Sequence, residues 1–290
     1  MFDVSGVKDF WRRYRSNRAG LVGLMVLATL AAIVLTEPYL LLYDPKEPHF
    51  TDKLLPPSTT YPMGTDELGR DVFSRIIAGT RFAFLIGLSA AGIAALIGFI
   101  VGAIAGFYGG KLDDIMMRVT DIFLVVPTFF LIMVIAAIFG ASMSLVVVAI
   151  GITSWPGPAR LVRAGFLSLK EQEFVEAARL VGAGDIRIIL RHIAPNTMAP
   201  LIVITSVQIA GAILTEASLS FLGLGDVNVV TWGQMLQRAQ QYLRHGWWVA
   251  SFPGFMIFLT VLAFNLVGDA LNDALNPRLK EYGTKVKTET

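Results

Sequence analysis

Long apolar runs alternate with short charged segments along this chain, and each run is of bilayer length. A transmembrane helix needs roughly 20 apolar residues. The first run covers 19–36, where Glu37-Pro38 either ends it or opens a short apolar continuation to Tyr43. The second, Phe82 to Gly110, is rich in glycine and alanine. Its Gly98, Gly102 and Gly106 fall four apart, a stripe of small residues that lets a neighbouring backbone come close. Packing within one subunit is the expected use of that stripe, ahead of dimerisation. Ile122 to Ala159 holds 38 residues without a charge. One helix of that length would run about 57 Å against a hydrocarbon core of about 30 Å, so two spans are predicted, with Gly140-Ala141-Ser142 as the turn. A fifth span covers Met198 to about Leu222 and a sixth Trp247 to about Gly268.

The fold class predicted is an all-α polytopic membrane protein with six transmembrane helices. Lys and Arg orient it. Seventeen of the 24 fall on the side holding the N-terminus, the loop at 109–121, the loop at 160–197 and the tail; seven fall in 44–81 and 226–246. Both termini are therefore predicted to be cytoplasmic. The organisation expected is a basic amphipathic segment (1–18), a first transmembrane helix (19–43), an extracytoplasmic loop (44–81), and a domain of five further helices with a cytoplasmic tail (82–290). The first run follows a basic start, as a signal peptide would, but it is long and lacks a small-x-small site, so a retained anchor is expected. Phe10, Trp11 and Tyr14 among the arginines fit a short helix lying at the membrane surface, and a plain positive-inside flank explains the arginines equally well.

The largest loop on the basic side contains an amphipathic, two-part pattern over about 171–196. Phe174, Ala178 and Val181 fall on one edge of a first helix, and Ile186, Ile189, Leu190 and Ile193 on one edge of a second. Gly182 and Gly184 are placed to end the first in a left-handed turn, Asp185 to cap the second, and Pro195-Asn196 to stop it before span five. Two uses stay open on these residues alone: docking in a groove of another protein, or resting on the membrane surface. In the 44–81 loop, Asp71 and Arg75 stand at i and i+4 and would support a surface helix with Leu68, Val72 and Ile76 on its apolar edge. Contact with another protein is a second use for that loop and for 226–246.

Composition narrows the function classes. The chain is 54% hydrophobic and 16% charged, with a mean hydropathy of +0.63. The absence of cysteine excludes disulfides and thiol chemistry, and His49, His192 and His245 form no metal-ligand spacing. No phosphate-binding GxxxxGK[ST] loop and no nucleophile–base set is visible. No catalytic residue, metal, bound cofactor or nucleic-acid partner is therefore expected. Glu216, Gln208 and Asn265 are polar groups inside predicted spans, where such groups are costly and often functional, and they are the candidate lining of a translocation path. A secondary transporter or channel is the alternative class; one embedded Glu and no internal repeat speak against it.

Glu176-Ala177-Ala178-x-x-x-Gly182, followed by Ile193-x-Pro195, resembles the EAA loop of prokaryotic ABC-transporter permeases. The ending His192-Ile193-Ala194-Pro195-Asn196 is similar to the peptide and nickel subfamily. Three further blocks resemble the C-type subunits of dipeptide/oligopeptide permeases: Pro62 to Arg75, Thr215 to Gly225 with Trp232 to Leu236, and Phe264 to Asp269 leading to Asn276-Pro277-Arg278. The resemblance implies a multi-pass permease of the prokaryotic inner or plasma membrane that takes up peptides, with nickel chelates or oligosaccharides as alternatives. It implies a sister permease, two ATPase subunits that carry ATP and Mg, and an extracytoplasmic solute-binding protein. It also implies that Glu176, Ala177, Ala178, Gly182, Ala183, Gly184 and Asp185 couple the chain to an ATPase.

Overall fold

The computed structural model describes residues 4–275, whose regular elements are all helices, with no strand among the described residues. Helix α1 (Val4–Ser16) is the expected amphipathic segment. It lies against the end of the last helix: buried Tyr14 packs with Ala270 and Ala274 and donates to the Gly20 carbonyl at 3.1 Å. Helix α2 (Arg18–Leu40) starts at Asn17, whose side chain accepts from Gly20 N, and continues through Pro38. Residues 41–71 then form an irregular loop, and α3 (Val72–Tyr108) runs 37 residues. The expected surface helix before span two is thus the first turns of α3 itself. Asp71 caps it by accepting from Ser74 N at 2.8 Å, so its carboxylate does not pair with Arg75, which faces Asp66 and the Pro45 carbonyl instead. A cap needs the side chain at the helix start, and that use removes it from i,i+4 pairing.

The 38-residue apolar stretch is divided differently from the expectation. Helix α4 (Gly110–Val125) already includes most of the predicted 109–121 loop, and α5 (Thr128–Phe139) follows at a bend of 80°. Pro127 causes the break: it offers no N–H to continue α4, and it forces Val126 into an extended conformation (φ −82°, ψ 122°). Gly140 (φ +89°) makes the expected turn, and Ser142 caps α6 (Met143–Ser154). Helix α7 (Pro156–Leu169) continues almost directly, so the predicted loop from 160 is helical as far as Leu169. Among the described residues, five helical stretches are long and apolar enough to cross a membrane, or six if the bent α4–α5 pair is one span.

Helices α8 (Glu173–Leu180) and α9 (Asp185–Arg187) form the two-part knuckle, and α10 (Ala194–Phe221) follows. The predicted stop at Pro195-Asn196 does not occur. Residues 188–193 form a π turn, and Asp185–Phe221 runs on as one stretch. Pro195 stands at the start of α10, where a missing N–H is tolerated beside the widened turn. Helix α11 (Trp232–Ala239) precedes α12 (Trp247–Leu275), which extends beyond the predicted Gly268. The tail block from Asn276 and its four cations lie outside the described residues.

Helix α3 is the central element, packed on α7, α6, α10 and α2, while α12 packs on α2 and α10. The glycine stripe makes the α3–α7 contact inside this chain. A Cβ on Gly98 would stand 2.9 Å from the Trp155 carbonyl, one on Gly102 2.8 Å from Val162 Cβ, and one on Gly106 2.6 Å from Phe166 Cβ. Gly102→Val should therefore cost about 1–3 kcal/mol through overpacking, read as a lower thermal-unfolding midpoint in detergent. Gly92→Ala, whose Cβ meets nothing within 4 Å, is the matched control. Equal midpoints for the two variants would refute the close-contact account.

Candidate functional site

The knuckle is built from a helix that ends in a glycine-dependent turn. Ala183 N donates to Ala178 O (3.0 Å) and Gly182 N to Arg179 O (2.9 Å), with Gly182 at φ +81°. This pair of bonds is the Schellman closure, which needs a left-handed residue at the Gly182 position. The second helix opens at Gly184, not at Asp185. Gly184 is extended and accepts from Ile188 N, while Asp185 sits in the first turn, where its charge suits the helix dipole.

The apolar residues of the knuckle divide into two sets. Val175, Ala178, Ile188 and Ile193 are buried against Phe107, Val162, Phe166 and Leu201, at the ends of α3 and α7 and the start of α10. Leu180 (89% exposed), Val181 (84%), Ile186 (72%) and Leu190 (59%) point outward around the turn. The edge expected from the sequence, Phe174–Ala178–Val181 and Ile186–Ile189–Leu190–Ile193, therefore mixes the two sets, and Val175 was missed. Helical spacing fixes neighbours on a face but not which face meets the bundle. Glu176, Ala177, Gly182, Gly184 and Asp185 lie on the outer side, Ala183 is half-buried, and Ala178 is inside. Two ion pairs join α7 to α4 above the knuckle: Arg163 grips Asp113 in bidentate fashion at 2.5 and 2.6 Å, and the exposed Arg160 meets Asp121 at 2.5 Å.

The candidate path residues do not converge. Glu216 is buried and accepts from Ser220 Oγ at 2.6 Å, in a near-closed pocket with Thr231 and Asp226. Asn265 donates to Val261 O within α12 at 3.0 Å. Gln208, near the middle of α10, lines an open-sided cavity of about 250 Å³ with Thr128, Ser154, Thr215 and the small residues Ala90 and Gly211. Its Nε2 donates to Ser154 O at 2.8 Å. An α-helix would give that carbonyl the N–H of residue 158, which is a proline and has none. The Gln208 amide oxygen is buried with no hydrogen-bond partner, a state that costs about 1–3 kcal/mol. Thr128, Ser154 and Thr215 carried no signal in the sequence, because single hydroxyls in apolar helices usually bond back to their own backbone, as Thr215 does to Gly211 O.

At the opposite end from the knuckle, the 41–71 loop is organised by carboxylates. Asp66 accepts from Leu68 N (2.9 Å), Arg70 N (3.0 Å) and Arg70 Nε (2.7 Å). Trp248 at the head of α12 donates to Thr65 O at 3.0 Å and pins the loop to the bundle. Tyr61 donates to Asp52 Oδ2 at 2.7 Å, and that bond to a carboxylate pushes its hydroxyl up to about 12. Asp226 is held below its ordinary range, chiefly by the Asn228 N–H and also by the Met143 N–H, which ties the 222–231 loop to the start of α6.

Residues 98–281 match the family described as binding-protein-dependent transport system inner membrane component. The chain belongs to that family. Residues 5–57 also match the N-terminal TM domain of oligopeptide transport permease C. Among relatives, the di/tripeptide transport system permease protein DppC of Pseudomonas aeruginosa is 42% identical, over 95% of this chain and 93% of its own. The glutathione transport system permease protein GsiD of Pectobacterium atrosepticum is 44% identical, over 94% and 91%. The oligopeptide transport system permease protein OppC of Bacillus subtilis is 38% identical, over 94% and 90%. In fold, the chain is similar to a chain of the MetNI methionine ABC transporter in inward-facing form, with a TM-score of 0.57 at 17% identity, covering 70% of this chain and 96% of that one. This permease is a multi-pass inner-membrane subunit, and the alternative of a secondary transporter or channel falls with that membership.

Gln208→Leu should leave the Ser154 carbonyl of this permease without its donor and loosen the α6–α7 joint. Amide hydrogen exchange across 152–160 is expected to accelerate about tenfold, for the loss of one buried bond of about 1.4 kcal/mol. Unchanged exchange there would show that the joint does not need Gln208.

Proposed function

We propose that this chain is one of two permease subunits of an ATP-driven importer of di- and oligopeptides, with the knuckle coupling it to a cytoplasmic ATPase. The observation that carries the reading is the two-faced knuckle. Its inner set of side chains is seated in the ends of three long helices, so a push on the knuckle moves those helices. Its outer set is bare around the turn, as a surface that enters a partner's groove would be. Resting on lipid is less favoured, because the same turn carries Glu176 and Asp185 beside the apolar tip.

The cationic excess puts the knuckle and both termini on the cytoplasmic side, where the ATPases work. The chain supplies no phosphate-binding loop, so ATP and Mg belong to those partners. The 41–71 and 222–246 segments then face outward, towards the solute-binding protein that the family description names. Peptides are the substrate class because the similar permeases are named for dipeptides, glutathione and oligopeptides. The cavity at Gln208 is the part of this subunit that lines the path, completed by a sister permease. Small residues there, Ala90 and Gly211 among them, leave room beside the Gln208 side chain. As the ATPases close, the seated knuckles carry the helices with them and alternate the access of that cavity.

Leu180→Asp with Val181→Asp tests the coupling. Both side chains are exposed, so insertion and heat stability of the subunit should stay within about 0.5 kcal/mol. Co-purifying ATPase and peptide uptake are each expected to fall more than tenfold, since a desolvated carboxylate at the contact core is strongly unfavourable. Full uptake by the double variant would end the coupling role.

A further inference from the structure

A second cavity, of about 230 Å³, opens where the 41–71 loop meets the 222–231 loop and α11. Four cations reach its wall, Lys46, Arg70, Arg75 and Arg238, with Asn228 and Gln234 beside them and no carboxylate among the lining residues. The nearby acids are largely engaged, although Glu67 Oε2 and Asp71 Oδ1 are buried without a hydrogen-bond partner and Asp226 also faces Lys46. Asp66 and Glu67 hold Arg70 at 2.7 and 3.0 Å, Glu67 Oε1 stands 3.5 Å from Arg238, and Asp226 takes the N–H groups of Asn228 and Met143. Arg75 is 2% exposed, yet its Nε has no hydrogen-bond partner, with Asp66 Oδ2 at 3.5 Å. The guanidinium is ion-paired to Asp66 and donates to the Pro45 carbonyl at 2.8 Å, but its Nε–H lacks a hydrogen bond, which is costly in a buried group and leaves it able to accept a second anion.

We propose that this cavity is an anion site that seats a carboxylate side chain of the solute-binding protein when it docks, an inference that rests on the importer reading above. The cavity is large enough for one such side chain with water. Its apolar lining is limited to three valines, Val227, Val229 and Val230, with no aromatic or leucine pocket to hold a peptide's side chains. Lys46 and Arg238 are the accessible cations at the rim and steer the encounter, whereas Arg70 and Arg75 are fixed by the loop behind them. The site joins the three elements that must move together on docking: the outer loop, the start of α3, and α11, whose Trp232 donates to Ile76 O on α3 at 3.2 Å.

The complete importer, reconstituted in nanodiscs with its sister subunit and ATPases, is titrated with peptide-loaded binding protein while ATP hydrolysis is followed. For Arg238→Gln and for Lys46→Gln the half-saturating concentration of binding protein should rise about tenfold, and saturating binding protein should recover the wild-type rate. Arg238→Lys should restore most of the shift, and wild-type half-saturation should depend on NaCl more steeply than in either Gln variant. Unchanged half-saturation in both Gln variants overturns the site. A shift only in the free-peptide concentration needed, at saturating binding protein, also overturns it and gives the cavity to the peptide's own carboxylate. If the wild-type complex is not stimulated by any peptide-loaded binding protein, the importer reading itself fails, a result separable from the other two.

Discussion

The backbone contact between α3 and α7 is the constraint on which the rest of this subunit depends. Within a bilayer there is little hydrophobic gain in bringing helices together, so association comes from close packing and from satisfied polar groups. Gly98, Gly102 and Gly106 let α7 lie directly on α3, and Val162 and Phe166 are thereby carried to the end of the bundle. That is where Val175, Ala178, Ile188 and Ile193 of the knuckle find their seat. Wider helix spacing would leave the knuckle attached by its chain ends only, and a force applied to it would be lost in hinge motion.

A second constraint is that every backbone polar group in the membrane must find a partner within the protein. Prolines make this hard; Pro38, Pro200 and Pro253 sit within helices that continue through them, while three other sites show three different outcomes. At Pro127 the chain breaks and turns through 80°. At Pro156 and Pro158 the α6–α7 line continues, with a Gln208 amide from another helix donating to the Ser154 carbonyl. At Pro195 the π turn absorbs the missing donor and keeps α9 and α10 in one line. The first bends the α4–α5 pair, the second leaves a polar cavity in the bundle, and the third joins the knuckle to a long apolar helix. One residue type thus produces a bend, a cavity and a rigid joint, depending on what surrounds it.

The two ends of the molecule use charge differently. At the knuckle, exposed Glu176, Arg179 and Asp185 surround an apolar tip, a surface with an incomplete interior of its own. At the other end, Asp66, Glu67, Arg70 and Arg75 are buried together and shape a loop from inside. Burial of ions is favourable only when each is partnered, so this cluster fixes the path of residues 64–75 and leaves little freedom except at the cavity the cations line.

Apolar run length, the glycine stripe, the positions of charge and the EAA-type block were enough to read a multi-span helical permease from the chain, because span length and backbone satisfaction are local requirements that a sequence displays directly. Gly182 is legible for the same reason: a left-handed turn is a property of one residue. The structure alone decided which apolar edge of the knuckle faces inward, since Phe174 and Val175 are equally apolar and only the position of Phe166 and Val162 separates them. It also decided that Asp71 caps α3 while Arg75 turns to Asp66, and that Gln208 bridges to a carbonyl 54 residues away. Those outcomes depend on which competing partner the folded chain brings into hydrogen-bond or ion-pair range, and spacing along the chain does not encode that choice.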